Sequence, residues 1–290
     1  MNLWKEYRQP TTISEAISDL ITAPQPVMPI AGGTDLLLDI KQGRHPSVHT
    51  LVDITSVFEM NQIEIRDEEL FIGAAVPVNR IVQNVLIKKH AQALVESCDL
   101  IAGPQVRNVA TLGGNVAHAL PAAEGTIALA ALAAQAEIAN KNGKRRLPIR
   151  DLFTGPGKSA IHKNEELISG FYVPLSKHSE ASCFNRIMRP QGVALPILNC
   201  AVWVARDGDT IQDIRIAIGP GGPKPFRATN SENHLRGKLY DGQLFASMLP
   251  ILLEEVKFRS SPRRASADYR RKIVSPLVKE TFDSAWSRTA

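Results

Sequence analysis

Residues 27–43 read VMPIAGGTDLLLDIKQG, and this stretch decides the first structural unit of the chain. Its apolar start predicts a short buried strand over residues 27–30, and the following segment predicts a helix over residues 36–42 that Gly43 ends. The pair Gly32-Gly33 lies between them, and glycine lets a backbone approach a ligand closely. Successive N–H groups in such a turn, with a helix N-terminus behind them, form a site suited to an anion.

A second glycine pair lies in residues 111–115, which read TLGGN. It belongs to a stretch rich in Gly, Asn, Pro and Ala over residues 101–124, which we predict to be irregular, and long loops in compact domains are usually functional. Two facing turns of this kind would suit a pyrophosphate, although glycine pairs alone favour ordinary tight turns over phosphate-binding loops. His118 in this stretch is open to either a structural hydrogen bond or a ligand contact.

Single positions argue against two common nucleotide-binding patterns. The string GPGKSA at residues 155–160 resembles the end of a Walker A loop, but that loop needs glycine at position 152, where the chain has Leu152. The same string matches G-x-G-x-x-A, but no apolar strand precedes it, and Pro156 is incompatible with a Rossmann turn. We also find no H-E-x-x-H or G-x-S-x-G sequence that would indicate a hydrolase.

The order of predicted strands and helices along the rest of the chain predicts an α+β protein with a separate C-terminal domain. Thr12 and Glu15 predict a capping box for a helix over residues 13–21, and Asn142-Gly143 predicts a hairpin. After a polar linker, three segments predict an antiparallel meander of strands near residues 183–188, 198–205 and 211–218. Two helices follow, near residues 243–258 and 266–286, and the second is expected to kink or break at Pro276.

We therefore divide the chain at the polar linker. The patterning predicts one domain at residues 1–175, with halves of about 1–56 and 57–175, and a second at residues 176–290. The 290 residues are 44% hydrophobic and 22% charged, enough for two globular domains. No apolar run approaches the roughly 20 residues of a membrane span, and no apolar stretch follows the N-terminal basic residues, so we expect a cytoplasmic protein.

The net charge of +5 raises the question of nucleic-acid binding. Most basic residues are dispersed, and the densest group, residues 263–272, has no interleaved aromatic residues to form a stacking platform. A solvated or partner-facing helix surface is the interpretation we prefer. The three cysteines, Cys98, Cys183 and Cys200, are scattered and without a C-x-x-C pair, so we expect reduced thiols and no metal site.

Several dense strings, in fixed order, resemble one protein family. They are PIAGGTDLLLDIKQG at residues 29–43, GPQVRNVATLGGNVAHALPAAEG at 103–125, RPQGVALPILNCAVWVA at 189–205, IAIGPGGPKPFRA at 216–228 and RASADYRRK at 264–272. Together they resemble the FAD-binding medium subunit of the xanthine dehydrogenase and aerobic carbon monoxide dehydrogenase family, the molybdenum hydroxylases. The resemblance covers nearly the whole chain.

The resemblance implies a FAD-binding domain of the vanillyl-alcohol-oxidase (PCMH) type in two α+β parts. A C-terminal α+β domain with a three-stranded antiparallel sheet and helices would follow, as in the carbon monoxide dehydrogenase flavoprotein. In the family both glycine loops clamp the FAD pyrophosphate. By matching positions, the implied cofactor-binding residues are Pro29, Ile30, Ala31, Gly32, Gly33, Thr34, Asp35, Leu36, Ile101, Thr111, Gly113, Gly114, Asn115, Glu124, Ile168 and Arg186. No residue is assigned as a proton-transfer catalyst.

Two of these positions depart from the family pattern. Glu124 stands where the family usually has Asp, and Arg186 stands where it has a Lys close to the flavin. Each replacement keeps the charge of the side chain and changes its geometry, since a guanidinium is planar and an ammonium is compact.

The resemblance also implies the role of the chain in a larger complex. Electrons would come from [2Fe–2S] clusters on a small partner subunit, reach FAD on this chain and leave to an acceptor, often NAD. The substrate would be hydroxylated on a large molybdopterin subunit, and the assembly would be a dimer of heterotrimers. Two alternatives stay open: a self-sufficient flavin oxidoreductase with the same N-terminal fold, and a flavin-free assembly protein, against which the intact glycine pairs argue.

Overall fold

The computed structural model describes residues 3–189, 195–262 and 264–289. Residues 190–194, which belong to the family string that starts at Arg189, lie outside the described residues, and so does Arg263 of the basic group. Within the described part, no helix combines the length and the apolar character needed to cross a membrane.

The chain begins with a three-stranded parallel sheet and two helices. These elements are β1 (Glu6–Arg8), α1 (Ile13–Thr22), β2 (Val27–Ile30), α2 (Leu36–Lys41) and β3 (Thr50–Asp53), with strand order β1-β3-β2. The predicted capping box is confirmed, because the Thr12 hydroxyl accepts from the Glu15 N–H and the Glu15 carboxylate accepts from the Thr12 N–H. Ile30 at the end of β2 packs with Ile40 of α2, so the glycine loop is held between two buried residues.

The second part of the N-terminal domain is a five-stranded antiparallel sheet, order β4-β5-β10-β6-β7, with six short helices. The elements are β4 (Ile63–Arg66), β5 (Glu69–Gly73), α3 (Val78–Gln83), α4 (Val85–His90), α5 (Gln92–Asp99), α6 (Pro104–Arg107), α7 (Leu112–Ala117), α8 (Glu124–Ala131), β6 (Gln135–Asn140), β7 (Gly143–Pro148), β8 (Phe153–Gly155), β9 (Lys158–Ser159) and β10 (Leu167–Pro174). The predicted hairpin is confirmed, since β6 and β7 pair across Asn140 and Gly143. The stretch 101–124 is not wholly irregular as predicted, because α6 and α7 interrupt it.

The C-terminal domain contains the predicted meander and a layer of helices. Its elements are β11 (Glu180–Ile187), β12 (Leu198–Asp207), β13 (Thr210–Gly219), β14 (Phe226–Arg227), α9 (Thr229–Leu235), β15 (Lys238–Leu239), α10 (Gly242–Glu255) and α11 (Ala267–Ser287). The three long strands pair in order, and the short strands β14 and β15 both add to β13. The sheet therefore has five strands, three of them long.

The two faces of this sheet bury different cores. Along β12, Cys200, Val202 and Val204 belong to a core that lies wholly in the C-terminal domain and includes Phe282 of α11. The alternating neighbours Ala201, Trp203 and Ala205 belong to the main core of the N-terminal domain instead. Because successive side chains of a strand point to opposite faces, β12 is shared by both cores. The two domains are consequently packed together through this sheet.

Helix α11 has no break at Pro276. It is continuous through this residue, so the predicted break is wrong, and the predicted kink stays a prediction. Its predicted start is confirmed, because the Ser266 hydroxyl accepts from the Tyr269 N–H. Val274 and Leu277, on either side of the proline, are buried in the C-terminal core. This packing on both sides of Pro276 holds the helix together where the proline removes one backbone hydrogen bond.

Candidate functional site

The first glycine loop presents a row of free amides between β2 and α2. No protein acceptor within the described residues receives a hydrogen bond from the N–H groups of residues 31–35. Gly33 has a φ of +65°, a conformation that a side chain would strain. The row leads into the N-terminus of α2, where unpaired N–H groups carry partial positive charge. The first loop therefore has the unpaired N–H groups that the predicted anion site requires.

The second glycine loop is built differently from the prediction. It is the capped start of α7, in which the Thr111 hydroxyl accepts from the Gly114 N–H at 3.0 Å. The Gly113 N–H donates to the Ala74 carbonyl at 2.9 Å, and the Asn115 N–H donates to the Thr111 carbonyl. The amides of residues 113–115 are thus already paired, and this loop is not a second row of free donors.

Close packing explains two of the four glycines. A Cβ on Gly32 would overlap with the Val109 carbonyl, and a Cβ on Gly113 would lie 2.5 Å from the Ala74 carbonyl oxygen. Gly114 is different, because it is exposed and a Cβ there would meet only the Thr111 hydroxyl, at 3.2 Å. Among the described residues, the Thr111 hydroxyl is therefore the contact that a side chain at position 114 would have to accommodate.

The two loops are in direct contact with each other. Gly32 packs on the Val109–Ala110 backbone, and the His118 imidazole at the end of α7 lies 3.6 Å from the Asp35 carboxylate of the first loop. That carboxylate raises the pKa of His118 above its ordinary value, and His118 in turn lowers the pKa of Asp35. An electrostatic pair therefore joins the first loop to the second. His118 was only an open alternative at the sequence level, because nothing in the sequence places it beside Asp35.

Behind the second loop lies a cluster of buried polar groups. The Asn115 side-chain oxygen is buried without a hydrogen-bond partner among the described residues, and it packs against Gly125 at the start of α8. The neighbouring Glu124 carboxylate accepts from the Arg186 guanidinium at 2.8 Å. Both side chains are almost fully buried, at 9% and 8% exposure. The two family departures, Glu124 and Arg186, are thus paired with each other.

This ion pair lies at the junction of the two domains. Arg186 on β11 is the register partner of Asn199 on β12, whose amide donates to the Ala122 carbonyl just before α8. The Arg186 Nε and the Asn199 side-chain oxygen are both buried and without a partner in the described residues. Burial raises the pKa of Glu124, although Arg186 and Arg264 oppose that effect by their charge. The junction therefore holds several polar atoms that the described protein leaves unsatisfied.

The structure distributes the remaining predicted residues around the two loops and the core. Pro29 and Ile30 are the last two residues of β2, where they are the register partners of Val52 and Asp53 on β3. Leu36 is the first residue of α2. Ile101 is half-buried after α5, and its carbonyl accepts from Arg107. Ile168 lies on β10 opposite Ile138 and is only 8% exposed in the main core.

These features fit the pyrophosphate of a dinucleotide. Free amides on the first loop supply donors, Gly114 leaves space, and the unpartnered Asn115 side chain supplies a further polar group at the second loop. Asn199 and Arg264 were missed at the sequence level. Asn199 bonds to the Ala122 carbonyl just before α8, and Arg264 acts on Glu124 by its charge, and no local pattern reveals either relationship.

Comparison with known proteins agrees with this arrangement. Residues 3–176 match the family described as the FAD binding domain in molybdopterin dehydrogenase, and residues 182–285 match the CO dehydrogenase flavoprotein C-terminal domain. The chain is 30% identical over 281 residues to a putative xanthine dehydrogenase FAD-binding subunit of Escherichia coli K12, covering 96% of this chain and 95% of that protein. It is 27% identical to the carbon monoxide dehydrogenase medium chain of Hydrogenophaga pseudoflava, covering 98% of each.

Solved structures are similar over the same length. Carbon monoxide dehydrogenase from Hydrogenophaga pseudoflava, in a form lacking the Mo-pyranopterin moiety, matches with a TM-score of 0.92 and 26% identity, covering 99% of this chain and 98% of that chain. Quinoline 2-oxidoreductase from Pseudomonas putida 86 matches with a TM-score of 0.89 and 26% identity, covering 98% of each chain.

Proposed function

Because the chain belongs to the family of FAD-binding subunits of molybdenum hydroxylases, we propose that it carries electrons from [2Fe–2S] clusters on a partner subunit, through FAD, to an acceptor such as NAD. The chain is an oxidoreductase subunit, and its cofactor is FAD. Bound FAD supplies the chemistry of taking up and releasing electrons, and the protein supplies binding, orientation and electrostatics.

The row of free amides at residues 31–35 is the observation that carries the proposed binding mode. In this proposal these amides and the Thr34 hydroxyl donate to the pyrophosphate, and Thr111, Gly114 and Asn115 border it from the second loop. Gly32, Gly33 and Gly113 allow the two loops to come together. This places the cofactor's negative charge at the N-terminus of α2, where the helix dipole favours it.

The other predicted residues complete the proposed site. Pro29, Ile30 and Leu36 hold the first loop, and Ile101 and Ile168 pack against the cofactor. Matching to the family puts Glu124 at the nucleotide part and Arg186 at the flavin, but two side chains paired at 2.8 Å share one part of the cofactor, and we place both close to the flavin. Since Glu124 and Arg186 are paired at 2.8 Å, we propose that they act as one unit at the domain junction.

We further propose the partners implied by the family. A small [2Fe–2S] subunit would deliver electrons and a large molybdopterin subunit would bind the organic substrate, with the whole forming a dimer of heterotrimers. Similarity to a carbon monoxide dehydrogenase medium chain over 98% of both chains supports a subunit role over a self-sufficient oxidase. We place the complex in the cytoplasm, where the buried free thiols Cys98, Cys183 and Cys200 stay reduced.

Electron flow through this chain can be tested without knowing the organic substrate. The tagged chain is isolated with its partners from the native host, and the complex is analysed for flavin, iron and molybdenum. NADH is then added, and reduction of the [2Fe–2S] clusters is followed by absorbance. We expect NADH to reduce the clusters in the wild-type complex, because the proposed pathway runs in both directions.

The matched control is a complex that contains Gly114→Val. We expect this complex to lack FAD and to show no cluster reduction by NADH, while dithionite still reduces its clusters. Cluster reduction by NADH in the flavin-free complex would disprove the proposed role. A wild-type complex without iron and molybdenum would disprove the proposed partners. A wild-type complex that only dyes or quinones can reoxidise would disprove NAD as the acceptor.

A further inference from the structure

The first glycine loop contains a charge conflict. Its free amides at residues 31–35 suit an anion, but the last of these residues, Asp35, carries a carboxylate. A carboxylate within the same loop would repel a bound pyrophosphate, and the energy of two charges rises as their separation falls. The loop can hold a dianion well only if the charge of Asp35 is offset by a nearby cation.

His118 is the cation that faces Asp35. Its Nδ1 lies 3.6 Å from the Asp35 carboxylate, and it comes from the end of α7, the helix that starts at the second glycine loop. The nearest competing carboxylate, Asp39 of α2, already has its own partner, because Arg44 pairs with it at 2.7 Å. Arg44 also acts on Asp35 by its charge, but more weakly than His118 does.

We propose that protonated His118 is a positioning residue for FAD, because it neutralises Asp35 and joins the first glycine loop to the second around the pyrophosphate. This inference rests on the proposed binding mode at residues 31–35. It assigns a role to a histidine that does not itself have to touch the cofactor. It also makes the affinity for FAD depend on pH near neutrality.

The sign of the pH dependence follows from the neighbours of His118. The carboxylates of Asp35 and Asp39 raise the pKa of His118 above its ordinary value, against the opposing effect of burial. The imidazolium is therefore present below that raised pKa and is lost as the pH rises through it. Asp35 stays ionised throughout this range, because His118 lowers its pKa. Affinity for FAD should thus fall as the pH rises, when the Asp35 charge loses its main compensation and only the weaker effect of Arg44 remains.

The test measures FAD binding by the full chain after its flavin has been removed. Quenching of flavin fluorescence gives the Kd from about pH 6 to about pH 9, a range that spans the titration of a histidine. Four proteins are compared: wild type, His118→Gln, Asp35→Asn and the double variant. His45→Gln is the matched control, because His45 lies in the loop after α2 and bonds to the Pro46 carbonyl instead of to Asp35.

For wild type we expect the Kd to rise with pH by up to about fivefold, the factor typical of a partly exposed ion pair. His118→Gln should bind as weakly at low pH as wild type does at high pH, with no pH dependence of its own. The double variant should bind more tightly than His118→Gln, because the repelling carboxylate is gone. His45→Gln should behave as wild type.

Two results would overturn the proposal. One is a His118→Gln protein with the affinity and pH dependence of wild type, and the other is a double variant no tighter than His118→Gln. If His118→Gln does not fold, NMR titration of His118 in wild type decides instead: its pKa should rise when FAD binds, and an unchanged pKa would overturn the proposal. Failure of wild type to bind FAD at any pH would refute the proposed function itself, and so the two failures are distinct.

Discussion

The Arg186 guanidinium donates to the Glu124 carboxylate at 2.8 Å, across the boundary between the two domains. Arg186 comes from β11 of the C-terminal sheet, and Glu124 is the first residue of α8 in the N-terminal domain. The resemblance to the family implies a shorter carboxylate, Asp, and a Lys at these two positions. The two departures are thus complementary, because the longer carboxylate and the longer guanidinium meet in one buried pair.

The first prediction concerns the contribution of this ion pair to the free energy of unfolding. Arg186→Met removes one partner and leaves the Glu124 carboxylate buried without compensation, so we expect a loss of about 3–5 kcal/mol in the free energy of unfolding. Adding Glu124→Gln should recover most of that loss, because no buried charge remains. Urea unfolding of the flavin-free chain measures both variants without interference from the cofactor. Equal stability of the single and double variants would show that the pair is not coupled.

The flavin reduction potential should respond in opposite directions to the two partners. If Arg186 lies close to the flavin as proposed, Arg186→Met removes a positive charge that stabilises the reduced ring, and the potential should fall. Glu124→Gln leaves that positive charge uncompensated, so the potential should rise. Each 1.4 kcal/mol corresponds to about 30 mV for a two-electron couple, which is measurable by spectroelectrochemical titration.

A structural role alone would give a different result for the potentials. Both variants would then change unfolding while the potential of bound FAD stayed at the wild-type value. That outcome, with FAD fully retained, would remove Arg186 from the proposed flavin environment. It would leave the ion pair as a link between the domains.

Variants at the second glycine pair should distinguish a role in ligand binding, at Gly114, from a role in folding, at Gly113. Gly114→Val should lose FAD and keep a melting temperature close to that of the flavin-free wild type, because the first added carbon meets only the Thr111 hydroxyl, at 3.2 Å. Gly113→Ala is the matched control. Its Cβ would lie 2.5 Å from the Ala74 carbonyl oxygen, so this smaller change should lower the melting temperature. Flavin absorbance and thermal unfolding are measured on both variants.

Two results would contradict these roles of Gly114 in FAD binding and of Gly113 in stability. A Gly114→Val protein that keeps its full complement of FAD would show that the cofactor does not approach Gly114. A Gly113→Ala protein with unchanged stability would show that the close contact with Ala74 relaxes easily.

Sequence reasoning succeeded where local chemistry decides the structure. The strand at Val27–Ile30 and the helix that starts at Leu36 have the predicted bounds to within one residue. The Thr12–Glu15 capping box and the turn at residues 142–143 were also predictable, because each depends on residues only one to three positions apart. Such patterns are reliable here because the local preference and the overall fold favour the same geometry.

The failures involve contacts between distant segments. The Gly113 amide is paired with the Ala74 carbonyl, 39 positions away, so the second loop has fewer free donors than its glycine content indicated. The partner of Glu124 is 62 positions away in the sequence. Residue types predicted a carboxylate and a cation at the site, but only the packing of the C-terminal sheet against α8, through β12 and β13, brings them together.

Helix α11 offers a last test, since it stays helical through a proline. Pro276 is exposed, so its side chain makes little contribution to the core, while it removes the N–H that would donate to the Lys272 carbonyl. Pro276→Ala restores that donor and places the best helix former at the position. We expect the free energy of unfolding to rise by about 1–2 kcal/mol, less than the roughly 3 kcal/mol propensity difference, because proline also restricts the unfolded chain. Thermal unfolding of the flavin-free chain measures the change.

Pro250→Ala in α10 is the matched control, because Pro250 is also exposed and inside a helix, and it should give a similar gain. A loss of stability in Pro276→Ala alone would mean that α11 depends on a distortion at the proline for the packing of Val274 and Leu277.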